Sequence, residues 1–301
     1  MHRVLTTDWL SPWSFDPLWI LALALAAGLY AHAYRRHLHS SPRVGHSPLK
    51  AIAFFVGLVL VAVAVISPLE HYGNQVLWVN FTGFLVLTML AAPLIVAASP
   101  LTLAFRVGSE RRRRVLRSAY RGRVASALTN PVVAWLLFAV VTYLWQFSSL
   151  TEAAARNVFV RDLQQVTLLA VALCFWTPAL ASDPLRWRLA HPLRALYVLL
   201  EMTHKALFGG MFLSMNNPLH PHFAENAPAW APDALTDQRI AILILWIGGS
   251  AVFMVALVSI VVGWMGYEDR EQARVDRRLR LDREAAERRR AAIDQVFQKQ
   301  V

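Results

Sequence analysis

The chain consists largely of long apolar runs that are separated by short blocks of charge. A helix needs about 20 apolar residues to cross the hydrocarbon core of a bilayer. Seven runs of about this length lie near residues 18 to 34, 51 to 68, 76 to 104, 131 to 149, 163 to 181, 193 to 216 and 240 to 266. Together with a hydrophobic content of 56%, these runs predict an all-α, multi-pass integral membrane bundle of seven transmembrane helices.

The third run is long and contains two prolines, Pro93 and Pro100. Each proline removes one helical hydrogen bond and crowds the preceding turn. We therefore expect this run to break or re-enter rather than continue as one straight helix.

The basic residues lie mainly on one side of the predicted membrane. Of the 30 Lys and Arg residues, 25 lie in residues 35–50, 105–129, 183–194 and the tail from Tyr267. Basic residues near the spans stay in the cytoplasm, so the N-terminus is predicted outside and the C-terminus inside. The net charge of +11 then reflects topology and attraction to anionic lipids, and it does not indicate nucleic-acid binding.

Three regions follow from this pattern. Residues 1–17 form an extracytoplasmic N-terminal segment, residues 18–266 the transmembrane domain, and residues 267–301 a charged cytoplasmic helix. The last region mixes acidic and basic residues three or four apart and contains no Gly or Pro after Gly266. It is either a solvated topogenic helix or a docking helix for a partner.

An internal polar cluster interrupts the sixth run, in the stretch LLEMTHKALFGGMFLSM. Glu201, His204 and Lys205 share one helical face, and the order of Glu201 and Lys205 favours an ion pair. Ionisable groups in a span are costly and normally face a partner or a cavity. The cluster is either a satisfied packing feature or a proton, metal or haem-related site, with His204 as the tentative metal ligand.

Histidines elsewhere give weaker indications. His220 and His222 in a long outer connection could join a zinc or copper site, although no third ligand is evident in the sequence. His32, His37 and His39 lie close together near the first span, where an Arg-rich, lipid-facing loop is the alternative. No phosphate-binding glycine loop, Ser-His-Asp set or spaced acidic pair is evident, so catalysis is not predicted.

Residues 67 to 103, SPLEHYGNQVLWVNFTGFLVLTMLAAPLIVAASPLTL, resemble the CtaG-type (caa-type) cytochrome c oxidase assembly factors. Further matches are YLWQF, CFWTP, HKALFGGMFLSMNNPLHP and LTDQRIAILILW, so the resemblance extends from about residue 18 to 265. The family positions that match are Pro68, Glu70, Pro93, Trp145, Asp237 and Gln238. The resemblance implies a seven-span bacterial membrane protein that is associated with oxidase maturation and copper supply.

This chain departs from the family at its histidines. The resemblance implies histidines at five positions, where this chain has Asn80, Phe84, Gln146, Arg161 and Gln165. Phe cannot coordinate a metal, Arg remains cationic, and amide oxygens suit Cu(I) poorly. We therefore expect a divergent family member without metal at these positions.

These observations lead to one main functional hypothesis. The chain is expected to be a non-catalytic helper or accessory subunit in assembly of a haem-copper cytochrome c oxidase in the bacterial plasma membrane. Its expected partners are oxidase subunits, other assembly factors and anionic lipids, and it could form a homo- or hetero-oligomer. No cofactor is expected, although copper remains possible. The alternatives are a copper-binding or copper-transferring protein and a degenerate paralogue that acts as a structural partner.

Overall fold

The structure, a computed structural model, describes residues 13–40, 46–183 and 187–298. Within these ranges the chain is helical and has no strand, which confirms the all-α prediction. The helices up to the middle of the chain are α1 (Pro17–Ser40), α2 (Pro48–Ile66), α3 (Pro68–Gly73), α4 (Leu77–Leu85), α5 (Ala92–Ala97), α6 (Pro100–Val107), α7 (Glu110–Arg121) and α8 (Arg123–Leu128). The remaining helices are α9 (Pro131–Phe147), α10 (Leu150–Arg156), α11 (Val158–Leu180), α12 (His191–Leu213), α13 (Pro221–Glu225), α14 (Ala234–Leu243) and α15 (Gly249–Gln298).

The sequence marks many of these helix starts with proline and a capping side chain. Pro48, Pro68 and Pro131 open their helices, where the missing N–H needs no partner. Ser67 and Asn130 precede two of them and accept hydrogen bonds from the first free backbone N–H groups. These local signals fix where α3 and α9 begin.

The third apolar run continues through Pro93 and breaks later. Between α4 and α5 the chain forms a π-helical segment, Val86–Ala91, which absorbs the irregularity just before Pro93. The break comes at Ser99, whose φ of 53° is left-handed, and α6 starts at Pro100. The expected interruption is therefore present at the second proline and not at the first.

Five helices are long and apolar enough to cross a membrane, namely Pro17–His39, Pro48–Ile66, Leu77–Val107, Val158–Leu180 and Ala234–Arg288. A sixth arises if α9 and α10, which are bent by 66°, count as one span. Helix α12 has 23 residues, but its ionisable side chains lower its hydropathy and it is not in this set. The described residues thus give five or six candidate spans, where the sequence predicts seven.

The core lies where α2, the π-helical segment, α9 and α11 meet. Phe84, Leu87, Trp145 and Leu168 pack there, together with Trp19 from α1. Because α9 and α11 carry Gln146 and Arg161, this packing positions two side chains of the candidate site.

The chain divides into two compact units, one ending at Ala256 and one beginning at Leu257. The second unit is helical through Gln298, as its composition predicts. Its side chains are mostly exposed, and Arg274 pairs with Glu271 at 3.2 Å at the predicted spacing. Of the predicted N-terminal segment, residues 1–12 lie outside the described residues.

Candidate functional site

The five positions at which the resemblance implies histidines surround one cavity. This polar cavity has a volume of about 50 Å³ and adjoins α3, α4, α9, α10 and α11. All five side chains line it, namely Asn80, Phe84, Gln146, Arg161 and Gln165. Positions that are scattered along the sequence therefore form a single site. The matched positions Glu70 and Trp145 line the same cavity.

An ion pair dominates the polar cavity. Arg161 Nε in α11 lies 2.6 Å from Glu70 Oε1 in α3, and the Glu70 side chain is 5% exposed. Glu70 also accepts hydrogen bonds from Ser14 Oγ at 2.5 Å and Asn74 Nδ2 at 3.4 Å. A buried charge that is paired and hydrogen-bonded is compensated for its lost hydration. The sequence analysis missed this pairing.

The amide side chains of Asn80 and Gln146, which also line the cavity, differ in their hydrogen bonds. Asn80 Nδ2 donates to the Gly73 carbonyl at 3.0 Å, where a Cβ on Gly73 would approach the Asn80 Cα to 3.3 Å. Gln146 Nε2 is buried and has no hydrogen-bond partner in the part of the chain that the structure describes. The amide of Gln146 is therefore a donor that points at unfilled space.

The cavity offers a poor donor set for copper. Phe84 has no donor atom, and the guanidinium of Arg161 is already paired with Glu70. Amide oxygens are hard ligands, which suit Cu(I) poorly. Among the described residues, no group of three or more His, Cys, Asp and Glu side chains is arranged to hold a metal ion.

Lys205 lies in an aromatic environment. Its Nζ is 5.6 Å from the ring centre of Phe84, 5.4 Å from that of Phe138 and 5.8 Å from that of Phe253. Such distances are typical of cation–π contacts, which gain strength when desolvated. Phe84 thus lines the polar cavity and also contacts the internal cation of α12.

The predicted Glu201–Lys205 ion pair does not appear as a direct contact between the described residues, although the two groups lie close enough to interact electrostatically. The nearest described ionisable group to the Glu201 carboxyl is His204, whose Nδ1 lies 3.5 Å from Glu201 Oε2 and 3.4 Å from the Tyr143 hydroxyl. The i,i+4 spacing brings two residues to one face, but the aromatic rings draw the ammonium elsewhere. Trp135, Tyr143 and Phe208 surround the His204 ring at centroid distances of 5.0 to 5.1 Å.

A second cavity, the inner cavity, adjoins this cluster. It has a volume of about 40 Å³, and Glu201, Lys205 and Thr142 line it. Phe81 and Gln146 line both cavities. The internal cluster and the family positions, which sequence reasoning treats separately, therefore adjoin each other at these two side chains.

Asp237 and Gln238 fix the framework around the site. Asp237 Oδ2 and Oδ1 accept the backbone N–H groups of Leu77 and Trp78 at 2.9 and 2.8 Å, which caps α4 from α14. Gln238 Oε1 accepts the Leu219 N–H at 2.7 Å. Asp237 therefore holds α4, which carries Asn80 and Phe84, and Gln238 holds the connection after α12.

His220 and His222 bind protein groups. His220 Nε2–H donates to the Gln146 carbonyl at 2.9 Å, and burial lowers the pKa of His220. His222 Nδ1 accepts from Arg156 Nε at 3.2 Å and from Asn226 Nδ2 at 3.1 Å. The two imidazoles thus fasten the connection 214–233 onto α9 and α10. We call the part of the bundle formed by α3, α10 and α13 the capped end.

The histidines near α1 also bind other protein groups. His37 Nε2 accepts the backbone N–H of His46 at 3.1 Å, and His46 Nε2 lies 2.8 Å from Tyr30 Oη. His39 Nδ1 instead bonds the Arg35 carbonyl at 2.7 Å. Burial, followed by the positive charge of Lys50, lowers the pKa of His46 to about 4. These contacts connect the start of α2 to α1.

Comparison with known proteins adds a family and several relatives. The family model for cytochrome c oxidase caa3 assembly factors matches residues 28–266. Uncharacterized proteins of Mycobacterium bovis and Mycobacterium tuberculosis are each 28% identical over 289 residues, covering 91% of this chain and 42% of theirs. A Mycobacterium leprae protein is 25% identical over 276 residues, covering 88% and 41%. The chain thus spans about two fifths of the length of these relatives. No solved structure matches it.

Proposed function

Because the chain belongs to the family of cytochrome c oxidase caa3 assembly factors, we propose that it is a non-catalytic membrane helper or accessory subunit in assembly of a haem-copper cytochrome c oxidase. The observation that carries this proposal is the convergence of the family positions on the polar cavity. The site is built for packing and hydrogen bonding, and its only strong electrostatic contact there among the described residues joins Arg161 to Glu70. Such a site supports a role through binding a partner.

The proposed setting is the bacterial plasma membrane with seven spans. Helix α12 supports the seventh span, because its 23 residues extend about 35 Å and the hydrocarbon core is about 30 Å thick. The asymmetry of Lys and Arg supports an outer N-terminus, an inner C-terminus and attraction of the chain to anionic lipids. In this orientation the capped end faces outward.

The proposed partners are oxidase subunits or other assembly factors. In a second version of this proposal, the chain is a degenerate paralogue with a structural role, which permanently binds an intact family member or the oxidase. A copper-binding or copper-transferring protein would instead need ligands, and the side chains at the polar cavity disfavour that function.

The proposal is tested by deleting the chain in its native strain and complementing the strain with a tagged copy. Assembled oxidase is measured from the haem absorbance of membranes. We expect deletion to lower this signal, the wild-type copy to restore it, and oxidase subunits or assembly factors to co-purify with the tag. Normal oxidase content after deletion would overturn the assembly role.

The same purified protein distinguishes the copper alternative. We expect no stoichiometric, tightly held copper in the isolated chain. One copper per chain that survives washing and disappears in His204→Ala would support a copper-handling protein.

A further inference from the structure

We propose that the polar cavity and the inner cavity hold one continuous cluster of ordered water molecules, which connects Glu201 to the Arg161–Glu70 ion pair. The proposal is independent of the assembly role, because it rests only on the geometry of the two cavities.

The first support is a set of polar atoms that lack protein partners. Thr142 Oγ1, Gln146 Nε2 and Glu201 Oε2 are all buried without a hydrogen-bond partner. The three residues are 4%, 6% and 1% exposed, and all three line the inner cavity. His204 Nδ1, at 3.5 Å from Glu201 Oε2, does not make a hydrogen bond to it. Buried polar groups are normally satisfied, so a ligand that both donates and accepts is required.

The second support is the size of the two cavities. Their volumes are about 40 and 50 Å³, and one water molecule needs roughly 10 to 15 Å³ measured in this way. Each cavity therefore has room for more than one water molecule. A buried water typically makes two to four hydrogen bonds, and Thr142, Gln146 and Glu201 each offer a buried polar atom to it in the inner cavity.

The third support is continuity. Phe81 and Gln146 line both cavities, and the unpartnered amide is that of Gln146. The backbone carbonyl of Gln146 accepts a hydrogen bond from His220 at the capped end. On the far side of Gln146, the cavity reaches Glu70 and Arg161. Water molecules that bond this amide thus join Glu201 to the Arg161–Glu70 pair.

Water fits this space better than a cation or an apolar ligand. Lys205 lines the inner cavity and repels a second cation. An apolar ligand would leave the hydroxyl of Thr142 and the carboxylate of Glu201 unsatisfied.

The first test is hydroxyl-radical footprinting of the full chain in nanodiscs, in which radiolysis of bound water labels adjacent side chains. The chain offers two matched pairs of buried aromatic residues. Trp145 and Phe81 line the cavities, whereas Trp176 and Phe175 are fully buried away from them. We expect labelling of Trp145 and Phe81 to be several-fold faster than that of their counterparts. Equal rates within both pairs would overturn the proposal.

The second test asks whether a substitution in the inner cavity raises or lowers the melting temperature. Thr142→Val keeps the side-chain volume but removes a hydroxyl that faces the inner cavity. Thr203→Val is the control, since the Thr203 hydroxyl is exposed and bonds only its own helix at Leu199. In a hydrated cavity the Thr142 variant loses a bond to water, so its melting temperature falls below that of the control. A melting temperature equal to or above the control would mean that the cavity is dry, and would contradict the proposal.

Discussion

The guanidinium of Arg161 lies 2.6 Å from the carboxylate of Glu70, and this contact joins α11 to α3 at the wall of the polar cavity. The Glu70 side chain is 5% exposed and that of Arg161 is 19% exposed. Where the family resemblance implies a histidine, this chain has a permanent cation, so the site is organised around fixed charge. The predictions below begin with this pair.

Removing one member of the pair should be more harmful than removing both. Breaking a buried pair typically costs about 3 to 5 kcal/mol, because the remaining charge keeps its desolvation penalty. We expect Glu70→Gln and Arg161→Gln to lower stability by amounts of this order, and the double variant to lose less than either single variant. The measurement is unfolding in detergent. As a control, Arg274→Gln, in an exposed pair, should cost under about 1 kcal/mol. Additive losses would show that the two side chains act independently.

Lys205→Met should be tolerated or stabilising. The ammonium lies among aromatic rings and does not contact the Glu201 carboxylate in the described structure, and methionine fills such space with favourable sulfur–aromatic contacts. Because the two groups make no direct contact, adding Lys205→Met to Glu201→Gln should change stability little compared with Glu201→Gln alone. Thermal melting of the three variants checks this. A strong loss in Lys205→Met that Glu201→Gln relieves would establish a direct pair.

Asp237→Ala should destabilise the fold more than Asp233→Ala. Asp237 satisfies two backbone N–H groups of α4, and each buried donor left unsatisfied costs about 1 to 3 kcal/mol. Asp233 also caps a helix, by accepting the Thr236 N–H at 3.1 Å, but it does so at an exposed position. Amide hydrogen exchange at Leu77 and Trp78 should rise in the first variant only. Unchanged exchange there would contradict the capping role.

His46 should make stability depend on pH. Its pKa is about 4 in the fold against an ordinary 6.5, so the unfolded chain binds the extra proton between these values. Stability is therefore complete above about pH 6.5 and declines towards pH 4, by at most about 3 kcal/mol for this group, and by less where solvent screens it. Unfolding curves across this range should lose that slope in His46→Gln. If His46→Gln kept the wild-type pH dependence of stability, other titratable groups would be responsible for it.

The orientation is tested with reporters that are active only outside the cytoplasm. A reporter after Val301 should be silent and one near Ala229 active, because 25 of the 30 basic residues lie in segments that are predicted on the opposite side of the membrane from Ala229. The reverse pattern would invert the proposed topology.

The helices were predictable because their signals are local in the sequence. These signals are the long apolar runs and the Pro, Ser or Asn residues at helix starts. The cavity was not, since only packing shows that Asn80, Gln146 and Arg161 face one space. A signal for the Arg161–Glu70 pair was present, because two charges predicted on the same side of the membrane near span ends need partners. The Glu201–Lys205 pair does not appear as a direct contact because helical spacing determines a shared face and leaves the direction of each side chain open.

The cap that Asp237 places on α4 also sets an order of events during synthesis. The two N–H groups and their acceptor are 160 and 159 residues apart. At about 5 to 20 residues per second, the ribosome needs roughly 8 to 32 s to supply the missing carboxylate. For that interval the start of α4 must rely on water, lipid headgroups or the translocation machinery. The final arrangement of the helix that carries Asn80 and Phe84 is thus a late step in biogenesis, completed only when α14 arrives.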